Sequence, residues 1–185
     1  MARVEGCELV VQRRQAEERH AFATAEAAQG RCAFVKEAWS WLGTPFRDCS
    51  DIKGPNGAVD CAMLLVRSAV DTGRLSPFDP RKPEFGGPYS PQWMLHKREE
   101  RFVDWMVKLG ACEVDHPRVG DIVLFQFGHT FSHGAVLVNS EEIVHAWAAA
   151  GMVINSMLDE PLLSFLALPQ GKYPRPRRYF DIWGG

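Results

Sequence analysis

The 185-residue chain is 46% apolar and 24% charged, the balance of an ordinary globular protein long enough to bury a sizeable core. A formal net charge of −2 gives no whole-molecule field favouring nucleic acid or an anionic membrane, and no apolar run approaches the ~18 residues of a membrane span. Five cysteines, an odd number without a CxxC pair, argue against a disulfide framework and a cysteine-rich zinc module. No cofactor or metal is expected, and the N-terminal apolar patch is too short for a secretory signal.

Residues 1–185 read as one domain, beginning with an N-terminal helical extension over 1–28. Cys32, Val35, Trp39 and Leu42 then recur at helical spacing until Gly43 and Pro45 stop the helix. Whether 12–29 forms its own helix or lengthens this one is left open. After a polar stretch, "NGAVDCAMLLVRSAV" (Asn56 to Val70) predicts a helix capped by Asp60, with Cys61, Leu64, Leu65, Ser68 and Ala69 facing inward and an end near Gly73. Five prolines and a Gly86-Gly87 pair make 74–91 a long loop, a candidate wall for a substrate. Ser90 and Pro91 start another helix, whose face of Phe102, Trp105, Met106 and Leu109 ends at Gly110. The period then changes to two in "GDIVLFQFG", "SHGAVLVN" and "EEIVHAWAA". A strand near 151–157, a short helix near 159–167 and a last strand in "RRYFDIW" complete an α+β pattern.

Cys61 at the first turn of a helix would feel unpaired N–H groups that lower a thiol pKa, with Asp60 partly opposing them. Cys49 also follows an aspartate but has no apolar helix to position it. Cys7, Cys32 and Cys112 sit beside core-like residues, so these four read as structural. A nucleophilic thiol needs a base and a group to orient that base. His20, His96 and His116 read as solvent-facing, leaving His129, His133 and His145 in or beside the strands. A three-residue turn at Asn139 to Glu141 would set Ala135 opposite His145 and bring His133 onto the same face; a two-residue turn would separate the rings. A zinc site built from His129, His133, His145 and Cys61 is the competing arrangement.

The order "WLGTPFR", "VDCAMLL", "GDIVLFQFG", "SHGAVLV", "IVHAW" resembles the NlpC family of papain-like cell-wall cysteine peptidases, most closely its phage-tail-associated branch. The likeness spans roughly residues 33–157. It implies a papain-like core with N-terminal helices packed on a central antiparallel sheet. It assigns Cys61 as nucleophile, His133 as base and His145 as the orienting group, with Asp60, Phe46 and Ala62 on the substrate side. Two positions depart from the family pattern: Phe46 replaces a frequent tyrosine, and Ala62 a frequent serine. The implied function is hydrolysis of amide bonds in peptidoglycan stem peptides, at a γ-D-glutamyl–diamino acid bond. The implied partners are those peptides and other phage tail proteins, with no nucleic acid and no membrane insertion. A virion-associated protein, or a cytoplasmic one released to the wall, fits the missing signal. The alternatives are a catalytically weak assembly protein of a tail tip and a thiol-dependent amidase or acyltransferase on the same fold.

Overall fold

The computed structural model describes residues 24–85, 87, 89, 99–160 and 175–184. Helix α1 runs unbroken over 24–39, so 24–29 belong to the helix that carries Cys32 to Trp39. Phe34, Ala38 and, just beyond the helix, Trp41 bury completely against the rest of the core. A two-stranded ribbon of β1 (Asp51–Ile52) and β2 (Ala58–Val59) leads directly into α2 (Cys61–Asp71).

Asp60 caps α2 as its sequence predicts, its Oδ1 accepting from the Met63 N–H at 2.8 Å. Thr72 closes the helix, and Gly73 takes the left-handed conformation at φ 72°. Burial of α2 is wider than the expected single face, since Ala62, Met63 and Val66 are enclosed too. A helix wrapped on nearly all sides is the centre of a core rather than its cover. Helix α3 (Arg101–Lys108) buries Phe102, Val103, Trp105 and Met106 against the same core.

Strands β3 (Cys112–Glu113), β4 (Ile122–Phe127), β5 (Thr130–Leu137), β6 (Glu142–Trp147), β7 (Met152–Met157) and β8 (Arg177–Asp181) follow. They form one antiparallel sheet in the order β3-β8-β4-β5-β6-β7. The α+β class stands, with the helices on one face of the sheet. That face presents Ile122, Leu124, Val136, Val144 and Ala146 to the helices, while Val123, Phe125, Ala135, Leu137 and Ile143 cluster on the other. Helix α2 approaches β5 closely at Gly134, where a Cβ would lie 2.6 Å from Leu65 Cδ1.

Cys32 and Cys112 are exposed, against the core placement read from their neighbours. Cys32 lies on the solvent side of α1 beside exposed Ala33, and Cys112 in the edge strand β3, which is exposed at both residues. Cys7, His20, His96, the Ser90-Pro91 helix start and most of the helix expected near 159–167 fall outside the described residues.

Candidate active site

The β5–β6 turn has the length that the histidines require. Leu137 pairs with Ile143 and Val136 with Val144, the register of a three-residue turn at Asn139 to Glu141. Asn139 fixes this turn, its side-chain oxygen accepting from the N–H groups of Glu141 and Glu142 at 2.8 Å each. His133 and His145 thus share a face, and a ring nitrogen of each meets the other: His133 Nε2 and His145 Nδ1 are 2.8 Å apart. His145 Nε2 in turn lies 2.8 Å from Ser156 Oγ on β7.

This three-member chain restricts tautomers. If His133 donates through Nε2, His145 accepts at Nδ1 and donates to Ser156, and His133 Nδ1 keeps a free lone pair. Ser156 is absent from the sequence reading. It could have been found by pairing β6 with β7, since Ser156 is two residues beyond Ile154, the partner of His145.

Cys61 lies beside a break in the sheet next to His133. The β5–β6 ladder stops at Val136 and Val144, short of His133 and His145. The sulfur sits beside the backbone groups left over, donating to the Ser132 carbonyl at 3.9 Å, while the Gly134 N–H favours its anion. These two residues flank His133. A bulge at this point, where β4 and β5 shift register between Phe125 and Gln126, supplies the extra residue Ser132. Alternation puts both rings on the face opposite α2, with Phe125, Phe127 and Trp147 packed around His133 at centroid distances of 6.0, 5.5 and 5.1 Å. Among the described residues no hydrogen bond joins the sulfur to either ring. Cys61 and His133 nonetheless line one cavity of about 380 Å³, together with Phe46, Asp60, Ala62 and Trp147.

Burial dominates the electrostatics of the site. It pushes the Cys61 thiol up to about 12, with Asp60 adding to the rise and the N–H groups of Gly134, Cys61 and Ala62 opposing it. The helix end therefore does not yield a resting thiolate, contrary to the sequence expectation; loss of water outweighs it. Burial also holds His133 well below the usual histidine range, with the nearby His145 and Arg175 acting in the same direction. His145 is lowered to about 4 by burial. The resting pair is a thiol and a neutral imidazole.

The substrate-side positions all reach the cavity, but Asp60 is fully engaged. Its Oδ1 takes the Met63 N–H, and its Oδ2 takes the Cys49 N–H and the Tyr89 hydroxyl, both at 2.6 Å. Tyr89, from the proline-rich loop, is a cavity residue that sequence reasoning did not single out. Cys49 is half-buried at φ 55° and its thiol meets the Tyr89 carbonyl, so it serves the loop rather than the cavity. His129 is exposed on the β4–β5 turn and does not join the other two rings. No group of three His, Cys, Asp or Glu side chains is placed to hold a metal ion among the described residues.

No protein-family model matches the sequence, and no curated protein matches it. Among solved structures, the chain is similar to the P60 domain of an antigen from M. avium subspecies paratuberculosis. The two are 16% identical with a TM-score of 0.48, over 81% of this chain and 94% of that one. It is also similar to the peptidoglycan hydrolase RipB from Mycobacterium tuberculosis, at 17% identity and a TM-score of 0.48, over 85% of this chain and 67% of that one. A hypothetical invasion protein of the same species gives 12% and 0.46, over 85% of this chain and 65% of that one. Each is a likeness of fold.

Proposed function

We propose that the chain is a cysteine peptidase of the NlpC type, hydrolysing amide bonds in peptidoglycan stem peptides. The observations that support it are the chain His133–His145–Ser156 and the cavity that Cys61 and His133 both line. Substrate entry brings the sulfur and His133 Nδ1 into reach, directly or through one water. The thiol proton then passes to Nδ1 as the sulfur bonds to the amide carbonyl carbon. His133 gives that proton to the leaving amine as the C–N bond breaks, leaving a thioester. Water attacks next, His133 takes its proton, and the C–S bond breaks to restore the thiol and release the acid. The developing oxyanion falls to backbone N–H groups at the start of α2, because Phe46 has no hydroxyl to donate. The γ-D-glutamyl–diamino acid bond, and a place in a phage tail with tail proteins as partners, rest on the motif order alone.

The test is incubation with purified muropeptides and identification of the products by mass. Wild type should release cleaved stem peptides, while Cys61→Ala should release none and keep its melting temperature. Cleavage by Cys61→Ala would reject the nucleophile, and loss of cleavage in Cys49→Ala would point to the other thiol. The protonated resting thiol favours a second reading, an assembly protein with little turnover. No cleavage by wild type, together with an iodoacetamide reaction as slow as that of a buried thiol, would establish it.

A further inference from the structure

A buried cation stands close to His133. Arg175, two residues before β8, is enclosed, and its guanidinium carbon lies 3.8 Å from the centre of the Phe127 ring. Phe127 in turn meets the His133 ring edge-on at a centroid distance of 5.5 Å. One aromatic ring therefore touches both groups. A second contact fixes the guanidinium, since its Nη1 donates to the Gln126 carbonyl at 3.3 Å. The Gln126 N–H donates to the Pro176 carbonyl at 3.0 Å, so the backbone beside Arg175 is tied to the same residue. Gln126 is also where β4 and β5 shift register, leaving Ser132 between the partners of Gln126 and Phe125, which are Phe131 and His133. Stacking on an aromatic face suits a buried guanidinium, which keeps its proton at any ordinary pH.

In a site with little water, a fixed cation makes a second cation harder to form several ångströms away. The described groups packed around His133 leave that effect in place. From β6 comes His145, itself lowered by burial and therefore neutral at rest. From α2 come Cys61, a thiol at rest, and Asp60, whose oxygens are taken by Met63, Cys49 and Tyr89. Strand β4 and the end of β6 offer Phe125, Phe127 and Trp147, all uncharged. Arg177 on β8 sits over Phe125 at 5.9 Å and is paired with Asp159.

We infer that Arg175 is a positioning residue for the hydrolysis: seated on Phe127, its charge keeps His133 unprotonated at rest and makes the ring a stronger acid once the thiol proton has reached it. This rests on the peptidase reading and deepens it. A base held in this way remains available in mildly acidic medium, and it passes its proton readily to the leaving amine.

The experiment measures the acid limb of kcat/KM on muropeptides and the imidazole nitrogen-15 resonances of His133 in the same proteins, with His133→Gln to assign them. Arg175→Met removes the charge and keeps part of the apolar stem. The limb and the protonation of the ring should both move up by about half a pH unit or more, which is about threefold in activity below the limb. Arg175→Lys keeps the charge and should bring most of the shift back. A purely structural loss would lower the plateau and leave the limb where it was. An unmoved limb and titration in folded Arg175→Met overturn the inference, as does a shift in Arg175→Lys as large as in Arg175→Met. If Arg175→Met does not fold, Arg175→Gln, which keeps a donor for the Gln126 carbonyl, takes its place. If neither folds, the wild-type ring decides: protonation at or above the ordinary 6.5 overturns the inference, and protonation below it supports it. If wild type cleaves no muropeptide, the peptidase reading fails, and the resonances alone decide whether Arg175 governs the ring.

Discussion

At Cys61 two influences oppose one another: backbone N–H groups favour the anion, while burial and Asp60 disfavour it and leave the thiol near 12. A base is then essential, and that base must be neutral. His133 meets the condition, since burial holds it well below the usual range. The acid limb of kcat/KM should therefore lie below the ordinary histidine value of 6.5, measured on a muropeptide; a limb at or above 6.5 would remove His133 as base. Stability should carry the same signature. Both rings bind protons more weakly in the fold than in the unfolded chain, so the stability they contribute is full above 6.5 and drains as pH falls through the folded value, about 4 for His145. For His145 this amounts to ~3 kcal/mol at about 1.4 kcal/mol per pH unit. Urea unfolding of His145→Gln across that window should show a flatter pH dependence than wild type, and parallel curves would contradict it. Ser156→Ala leaves the buried His145 Nε2 without its hydroxyl partner. It should cost roughly 1–3 kcal/mol and lower kcat more than it raises KM.

Strand β5 carries the site through three local features: a bulge at Ser132, a side chain at His133 and none at Gly134. A methyl group at 134 would meet Leu65 Cδ1 at 2.6 Å, so the buried Leu65 side chain or α2 itself would have to shift. Gly134→Ala should cost roughly 1–3 kcal/mol by denaturant titration and reduce cleavage further by moving the sulfur off the strand. A variant as stable and active as wild type would mean that Leu65 repacks freely. Sequence patterns reach some of this architecture and not the rest. The α2 start was readable because Asp60 is a chemical signal. The hairpin parity stayed open between two turn lengths until the Asn139 side chain, bonded to the N–H groups of Glu141 and Glu142, decided it. The parting of β5 from β6 was not, since alternation describes faces and says nothing of where a ladder ends. Tyr89 was hidden for a related reason: a loop residue has no period, and its partner Asp60 lies 29 positions away. The thiol pKa could not be read either, because helix position is local and burial is a property of the packed whole.

Across the whole molecule, α1 is tied to the sheet by charge as well as packing. Arg31 contacts Asp121 Oδ1 and Asp181 Oδ1 at 2.5 Å each, and Arg118 meets the other Asp181 oxygen at 2.7 Å. Arg31, Asp121 and Asp181 are buried, so removing the arginine leaves two carboxylates short of their partner. Arg31→Ala should destabilise the fold by roughly 3–5 kcal/mol in chemical denaturation, with Arg31→Met less damaging if packing of the stem matters most. A loss under about 1 kcal/mol would show that Arg118 and water suffice. The network lies at the far end of β4 from the catalytic groups, so in variants that still fold, cleavage per folded molecule should hold.

The Gly134 amide, which favours the anion at the sulfur, gives the protein a spectroscopic handle of its own. It lies beyond the last β5–β6 pair and is sensitive to the charge at Cys61, so its resonance should follow the state of the sulfur. Labelling glycine with nitrogen-15 would turn one cross-peak into a running record of ionisation, acylation and release during turnover.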